Sequence, residues 1–528
     1  MSEQHKIKTV LFQTLLVLQL LLEVSGYAVA DFDLPELDPT MLHESLLENS
    51  FIRRELTSYS DSDLAEVQRA IYDKIIGAVD HPEQGKKLVF IDGPGGTGKS
   101  TLLRNILAKV RLEGKIAITV ASSGIAPLLL IKGRMAHSTF KIPLKLNEFS
   151  NFNITRQSHL KGLIEKASLI IWDEAPMAHR HAFEAVDRTL RDIMHNDAER
   201  FGGKVFVLSA YFRQILPVVK KGTPADTIDS CLKSSTVWPN FQQVLFVCVL
   251  LKADRQPRPC VGEGKHEGRP VLGGEYMKLP VDMVIPNPVK DPDEDEEIVP
   301  VDVNNPEIGT DEYFANRIIL TTTNAVVHKI NAAVSDRLPD EAREYLSTDS
   351  VEDDVNGDFF EREMLHAVNL NGIPPHKLML KKGIPIMMMQ NLNPDIGLCN
   401  GTRLRIVDLK DHVIHATIMT DERRGQHVLI PRIVFISDND ASEFPFRLHR
   451  KRFPVQPVFA MTINKTQGQT VQYFCLYLAT PCFSHGQQYV ALSRVSERSR
   501  FKALIENAKA EEDGGVYTEN VVYRQIFE

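Results

Sequence analysis

Gly93-Pro94-Gly95-Gly96-Thr97-Gly98-Lys99-Ser100 constrains the fold of this chain more than any other stretch. The apolar run Leu88-Val89-Phe90-Ile91 precedes it, and Leu102 to Val110 follow with helical spacing. Strand, glycine-rich turn and helix start, in that order, make a phosphate cradle. The glycines let successive backbone N–H groups face phosphate oxygens, and the helix N-terminus adds positive potential. In this reading Gly93, Gly95, Gly96, Thr97, Gly98 and Thr101 belong to the cradle. Lys99 reaches the outer phosphates, and the Ser100 hydroxyl holds a magnesium ion. A glycine-rich loop that holds no nucleotide is the plainer alternative, and the flanking strand and helix argue against it.

Single cores stop growing at roughly 250–300 residues, so a chain of 528 residues is expected to hold several domains. A net charge of −8 excludes a globally basic, nucleic-acid-coating protein, so any such binding must come from local patches. The six cysteines (Cys231, Cys248, Cys260, Cys399, Cys475, Cys482) are scattered, which favours reduced thiols over disulfides or zinc. Cys482 and His485 have a ligand-like gap, but no second pair accompanies them. At the N-terminus, Lys6 and Lys8 precede an apolar run from Val10 to Leu22, with Ala28-Val29-Ala30 placed like a cleavage site. Gln13, Gln19 and Glu23 interrupt that run, so a buried helix is the preferred reading over a secretory signal or a membrane span.

Leu64, Val67, Ile71, Ile75 and Val79 repeat at helical spacing ahead of the phosphate-loop strand. Strand candidates then alternate with helices: Ile116 to Val120, Leu169 to Trp172, Val205 to Leu208 and Val244 to Leu250, with a helix through Ala182, Val186, Leu190 and Ile193. Such alternation predicts an α/β fold, a parallel sheet covered by helices. A Pro- and Gly-rich stretch carrying the acidic run 291–297 reads as a linker or surface insertion. A second α/β series begins at Arg317 and includes a β-rich insertion, then the strand candidate Val471 to Leu478. The expected division is an N-terminal helical extension (1–59), a first α/β domain (60–250), a linker (251–310) and a second α/β domain (311–528) with its insertion at about 400–450.

Asp173 and Glu174 end the hydrophobic run Ile170-Ile171-Trp172, where an α/β sheet presents its ligands. Asp173 is expected to assist the magnesium ion and Glu174 to polarise an attacking water; a solvated strand end is the plain alternative. Gln214, just past another strand, is placed to sense a γ-phosphate. Met461 to Thr470 is dense in hydroxyl and amide groups suited to phosphodiester contacts, and Arg494 offers a guanidinium for transition-state charge.

In order along the chain, these motifs resemble those of Pif-type DNA helicases of helicase superfamily 1, the branch related to RecD, with the helicases of Helitron transposons as the nearest group. The resemblance is carried by Leu64-Ala65-Glu66-Val67-Gln68, the phosphate loop, Ala121 to Ala126, Gly133 to Phe140, Asp173 to Met177, Phe212-Arg213-Gln214, Asn400-Gly401-Thr402, Lys465 to Thr470 and Tyr489 to Val495. It covers about residues 60 to 500, and 31–35 also resemble the segment preceding the Helitron motor. It implies two RecA-like domains, with a small SH3-like β-barrel inserted in the second. It also implies an ATP- and magnesium-dependent motor that moves 5′ to 3′ on single-stranded DNA and opens forked duplex, working as a monomer without a membrane. By the same resemblance Gln68 reads adenine, and Lys99, Ser100, Asp173, Glu174, Gln214 and Arg494 serve the phosphates, with Arg494 reaching in from the second domain. Ser122, Ser123, His137, Thr139, Thr462, Lys465, Gln467 and Gln469 lie on or near the DNA track. The basic stretch Arg447 to Arg452 either attracts DNA or forms a solvated face. A nuclear location is expected, with a mitochondrial one as the alternative.

Two departures stand out. Ser209-Ala210-Tyr211 replaces the family's Gly-Gly-Asp, and Lys252-Ala253-Asp254-Arg255 stands where an Asn-Met-Arg element is expected. They keep a second reading open: a weakened transposon-derived remnant that binds nucleotide and DNA without unwinding.

Overall fold

A computed structural model describes residues 64–95, 97–124, 126, 130, 133–143, 146–152, 154, 158–219, 222–246, 261, 276–285, 311–351, 362–368, 373–393, 396–420, 423–437, 447–468, 471–494, 497–506 and 515–527. The N-terminal apolar run, the acidic run 291–297, Arg255, Cys248 and Cys260 lie outside them.

Six strands, β1 (Leu88–Asp92), β2 (Ile116–Ala121), β3 (Arg134–Met135), β4 (Ala167–Asp173), β5 (Val205–Ala210) and β6 (Gln242–Leu245), form one sheet in the order β3-β2-β4-β5-β1-β6. Every pairing in it is parallel. Its central strands read as unbroken apolar runs because both faces are covered. Phe90, Ile170, Trp172, Phe206 and Leu208 point to one side and pack with Phe183, Val186 and Leu190 of α5 (Arg180–Met194). Val89, Ile91, Ile171, Val205 and Val207 point to the other side. There they meet Ile71 and Ile75 of α1 (Glu66–Asp80) and Leu102, Leu103 and Ile106 of α2 (Lys99–Leu112). Each such side chain contributes about 1.5–3 kcal/mol of burial. The helices α3 (Ala136–Phe140) and α4 (His159–Lys166) complete the cover around β2 and β4. Since all strands run the same way, β1, β2, β4 and β5 deliver their C-terminal ends to one edge, and the candidate site is built there.

The strand expected at Val244 to Leu250 is observed at Gln242–Leu245, its last residues lying outside the described part. The others fall where they are expected, within a few residues. The strands Arg317–Thr321, Ala460–Thr462, Tyr473–Leu478 and Phe501–Ile505 belong to the second α/β series.

The β insertion is wider than expected. Pro385–Met388, Arg403–Leu409, Val413–Ile418, His427–Pro431 and Val455–Pro457 form a five-stranded sheet whose pairings are all antiparallel. Thr348–Val351, Ile433–Ile436 and Leu448–Arg452 form a separate three-stranded sheet. The pairings among the described residues are those of open sheets, so the SH3-like barrel stays an expectation.

The chain divides into two compact units that are discontinuous in sequence. One takes the described residues from 311 to 461 with 471–475; the other takes those from 64 to 285 with 462–468 and 476–527. Gln467 and Arg494 therefore belong to the same unit as the phosphate loop. Among the described residues no helix is long and apolar enough to cross a membrane. Cys231, Cys399, Cys475 and Cys482 are buried.

Both expectations for the basic stretch 447–452 are overturned for its two most buried arginines. Its strand turns Leu448, Arg450 and Arg452 inward. Arg450 pairs with Asp349 at 2.8 Å and donates to the carbonyls of Leu365, Pro374 and Val368. Arg452 donates to the carbonyls of Phe453, Val455 and Pro375. Alternation along a strand, period two, sends charged residues to a buried face as readily as apolar ones when carbonyls await them.

Candidate nucleotide site

The loop after β1 is held by its own backbone. Gly93 N–H donates to the Ala210 carbonyl at 3.1 Å, and the Thr97 hydroxyl donates to the Pro94 carbonyl at 2.8 Å. Gly98 is the N-cap of α2 with φ +92°, a conformation natural only to glycine, and a Cβ there would lie 2.7 Å from Gln68 Nε2. A Cβ on Gly93 would lie 2.7 Å from Phe246 Cβ. The Lys99 ammonium donates to the Gly93 carbonyl, so it rests inside the loop. Ser100 and Thr101 occupy the first turn of α2. Gln68 bridges two elements: its Oε1 accepts Ala65 N–H at 3.0 Å, and its Nε2 donates to the Thr97 carbonyl at 3.4 Å. Gly96 lies outside the described residues.

Asp173 ends β4 and Glu174 follows in a left-handed conformation, φ +51°, which is uncommon for a side chain of its size. Both are buried. Burial, then the neighbouring Glu174, pushes the Asp173 carboxyl well above the usual carboxylate range, with Lys99 pulling the other way. Glu174 N–H donates to Asp173 Oδ1 at 2.9 Å.

Gln467 closes this group. Its Nε2 donates to Glu174 Oε2 at 2.8 Å and to Gln214 Oε1 at 2.7 Å. Arg494 is buried too, donating to the Val490 carbonyl at 3.2 Å and the Ser493 hydroxyl at 2.9 Å. A Cβ on Gly95 would lie 3.5 Å from Arg494 Nη2, which places the guanidinium against the phosphate loop. Burial lowers its proton affinity, and Glu174 offsets part of this.

A loop of backbone N–H groups, a lysine, two buried carboxylates, two amides and an arginine thus meet at the end of one parallel sheet. Residues 63–260 match the family model "PIF1-like helicase", and 363–409 match "DNA helicase Pif1, 2B domain". The chain is 25% identical over 474 residues to the ATP-dependent DNA helicase Pif1 of Psychrobacter sp., covering 81% of this chain and 67% of that protein. Its fold is similar to the Pif1 helicase of Candida albicans (TM-score 0.61, 21% identity, 88% of this chain and 98% of that one). It is likewise similar to Bacteroides Pif1 bound to single-stranded DNA (TM-score 0.58, 22% identity, 82% and 91%). The chain is Pif1-like in sequence and in fold. It spans 67% of that Psychrobacter protein, and 47% and 58% of the ATP-dependent DNA helicases PIF7 of Trypanosoma brucei brucei and PIF1 of Emericella nidulans.

Within this Pif1-like frame the residues expected on a DNA track separate. Gln467 sits among the carboxylates rather than apart from them. The Ser122 hydroxyl accepts the Trp172 indole N–H at 2.8 Å, and the Ser123 hydroxyl accepts Ala126 N–H at 3.3 Å. His137 and Thr139 lie on α3, where burial holds the His137 imidazole below its ordinary range. Thr462 is buried and Lys465 exposed, while Gln469 lies outside the described residues.

Tyr211, one of the departures, is buried with its ring 5.4 Å from Tyr489, 4.7 Å from the Arg213 guanidinium and 5.9 Å from the Lys99 ammonium. The position thus holds an aromatic against the Lys99 and Tyr489 segments. His485 and Gly486 were missed as site neighbours by sequence reasoning; their one signal was their place just before the Tyr489 to Val495 motif.

Proposed function

We propose that this chain is an ATP-driven DNA helicase that moves 5′ to 3′ along single-stranded DNA and separates duplex ahead of it. The observation that carries the reading is the Gln467 amide, shared between Glu174 and Gln214 beside the phosphate loop. It joins the water-polarising carboxylate to the residue placed to sense the γ-phosphate. Lys99 and Arg494 stabilise charge on the transferring phosphoryl group, and Gln68 couples the base-reading position to the Thr97 carbonyl.

Magnesium fits the residues present. Ser100 and Asp173 are oxygen donors of the kind it prefers, and the crowding of Asp173 against Glu174 is the charge imbalance that a cation relieves. When bound, the ion would neutralise charge on the phosphates. Single-stranded and forked DNA are the proposed partners, with the resemblance to Helitron helicases and a nuclear location as further parts of the same reading. The alternative, a remnant that binds without unwinding, is disfavoured because loop, carboxylates, amides and arginine are all brought together.

Hydrolysis of ATP should rise on adding single-stranded DNA and vanish in Lys99→Ala. No stimulation in folded protein would sink the proposal. Forked duplexes with one tail polarity at a time test direction, and unwinding only from a 3′ tail would contradict it.

A further inference from the structure

His485 is fully buried at the turn before α6 (Gln487–Ser493), the helix that leads to Arg494. One ring nitrogen, Nε2, faces the Phe212 carbonyl at 3.0 Å, and the other, Nδ1, faces Tyr523 N–H at 2.9 Å. A carbonyl only accepts and a backbone N–H only donates, so the ring is neutral with its proton on Nε2. The Tyr523 ring stacks on the imidazole at 5.4 Å. Beyond it, Ile526 is buried in the core beneath β5, and its carbonyl accepts the Lys233 ammonium. Phe527 ends the described chain with its ring 5.2 Å from the Arg213 guanidinium.

The other side of the same joint touches Gln214. Gly486 has φ +75°, and a Cβ on it would lie 2.6 Å from the Gln214 carbonyl oxygen. Tyr489, one helical turn on, meets Tyr211. Residues 211–214 are therefore met along their length by the 485–489 segment and by the last described residues of the chain.

We propose that residues 523–527 are a strap that sets the position of the phosphate-sensing loop 211–214, with His485 as the joint. His485 is a positioning residue: it acts through Phe212 and Gln214 and touches no substrate. The inference deepens the helicase reading and rests on it for the meaning of the loop, though not for the strap itself.

Two full-length variants test it, His485→Phe, which removes both hydrogen bonds, and Phe527→Ala, which removes the ring that lies at Arg213 and beside His485 but leaves both hydrogen bonds in place. Hydrogen exchange is read first. In His485→Phe, the amides of 211–216 should exchange about tenfold faster or more, while those of α2 and β4 keep their protection. DNA-stimulated turnover is read next. The turnover number should fall about tenfold or more, with KM for ATP changed less than about twofold. Phe527→Ala should show the same pattern more weakly, and it decides the matter if His485→Phe does not fold. Unchanged loop protection in the folded variants, or protection lost evenly through the unit, overturns the strap. A wild-type chain that hydrolyses no ATP overturns the helicase reading instead and leaves the exchange result to judge the strap.

Discussion

Arg450 has no exposed surface, and its charge is met by Asp349, itself buried. The two form a two-pronged pair, with Nε and Nη2 each donating to the carboxylate at 3.0 and 2.8 Å. Ser347 donates to the same carboxylate at 2.6 Å, and His376 lies on the Ser347 hydroxyl at 2.7 Å. Asp349, His366 and His376 bring their ligand atoms within 4.8 Å of one another, a spacing that invites a metal. A divalent ion there would sit against the guanidinium that already holds Asp349, so the cluster is a cross-brace. Asp349→Asn leaves a buried arginine without its counter-charge, and urea unfolding should show a loss of about 3–5 kcal/mol. His485 supplies a pH test of the same kind. Burial lowers its pKa to about 4, against 6.5 for a free imidazole. Between those values the unfolded chain binds a proton that the folded chain refuses. Stability should therefore fall as pH drops from about 6.5 towards 4, with His485 contributing about 1.4 kcal/mol per pH unit. His485→Phe should lose one proton's worth of that slope in unfolding curves taken across the range.

At the level of elements, most strands of the β1–β6 sheet were legible because both of its faces are buried, and the strands write themselves as apolar runs. The phosphate loop was legible for a different reason. Its glycines are demanded by geometry, as the φ of Gly98 and the approach of Phe246 to Gly93 make plain. The strand carrying Arg450 and Arg452 was not legible. A buried arginine and a DNA-facing one look alike until the carbonyls that receive them are placed. Gly486 was hidden likewise, since its need for a bare α-carbon comes from Gln214, far away in sequence. Gly486→Ala combines a left-handed φ with a backbone clash, and it should destabilise the protein by at least about 1–3 kcal/mol in urea unfolding. Unaltered stability there would mean that the turn before α6 yields easily. Cys231 and Cys482 add a chemical check. Burial pushes both thiols up to about 12, so alkylation at neutral pH should reach neither until the chain unfolds.

Across the whole molecule, the motifs that sequence spreads from Gln68 to Arg494 are gathered into one compact unit. Residues 476–494 group with the phosphate loop although they stand far from it in sequence, and contacts between distant segments leave no periodic trace in either one. The proposed function requires the assembled site to hydrolyse ATP and to drive movement on DNA. The most direct measurement is ATP turnover with and without single-stranded DNA, in the wild-type chain and in Gln467→Ala. Strong stimulation is expected in the wild type. In Gln467→Ala turnover should fall by about 10²-fold or more, because the shared amide no longer joins Glu174 to Gln214. Equal, DNA-stimulated turnover in the two proteins would contradict it.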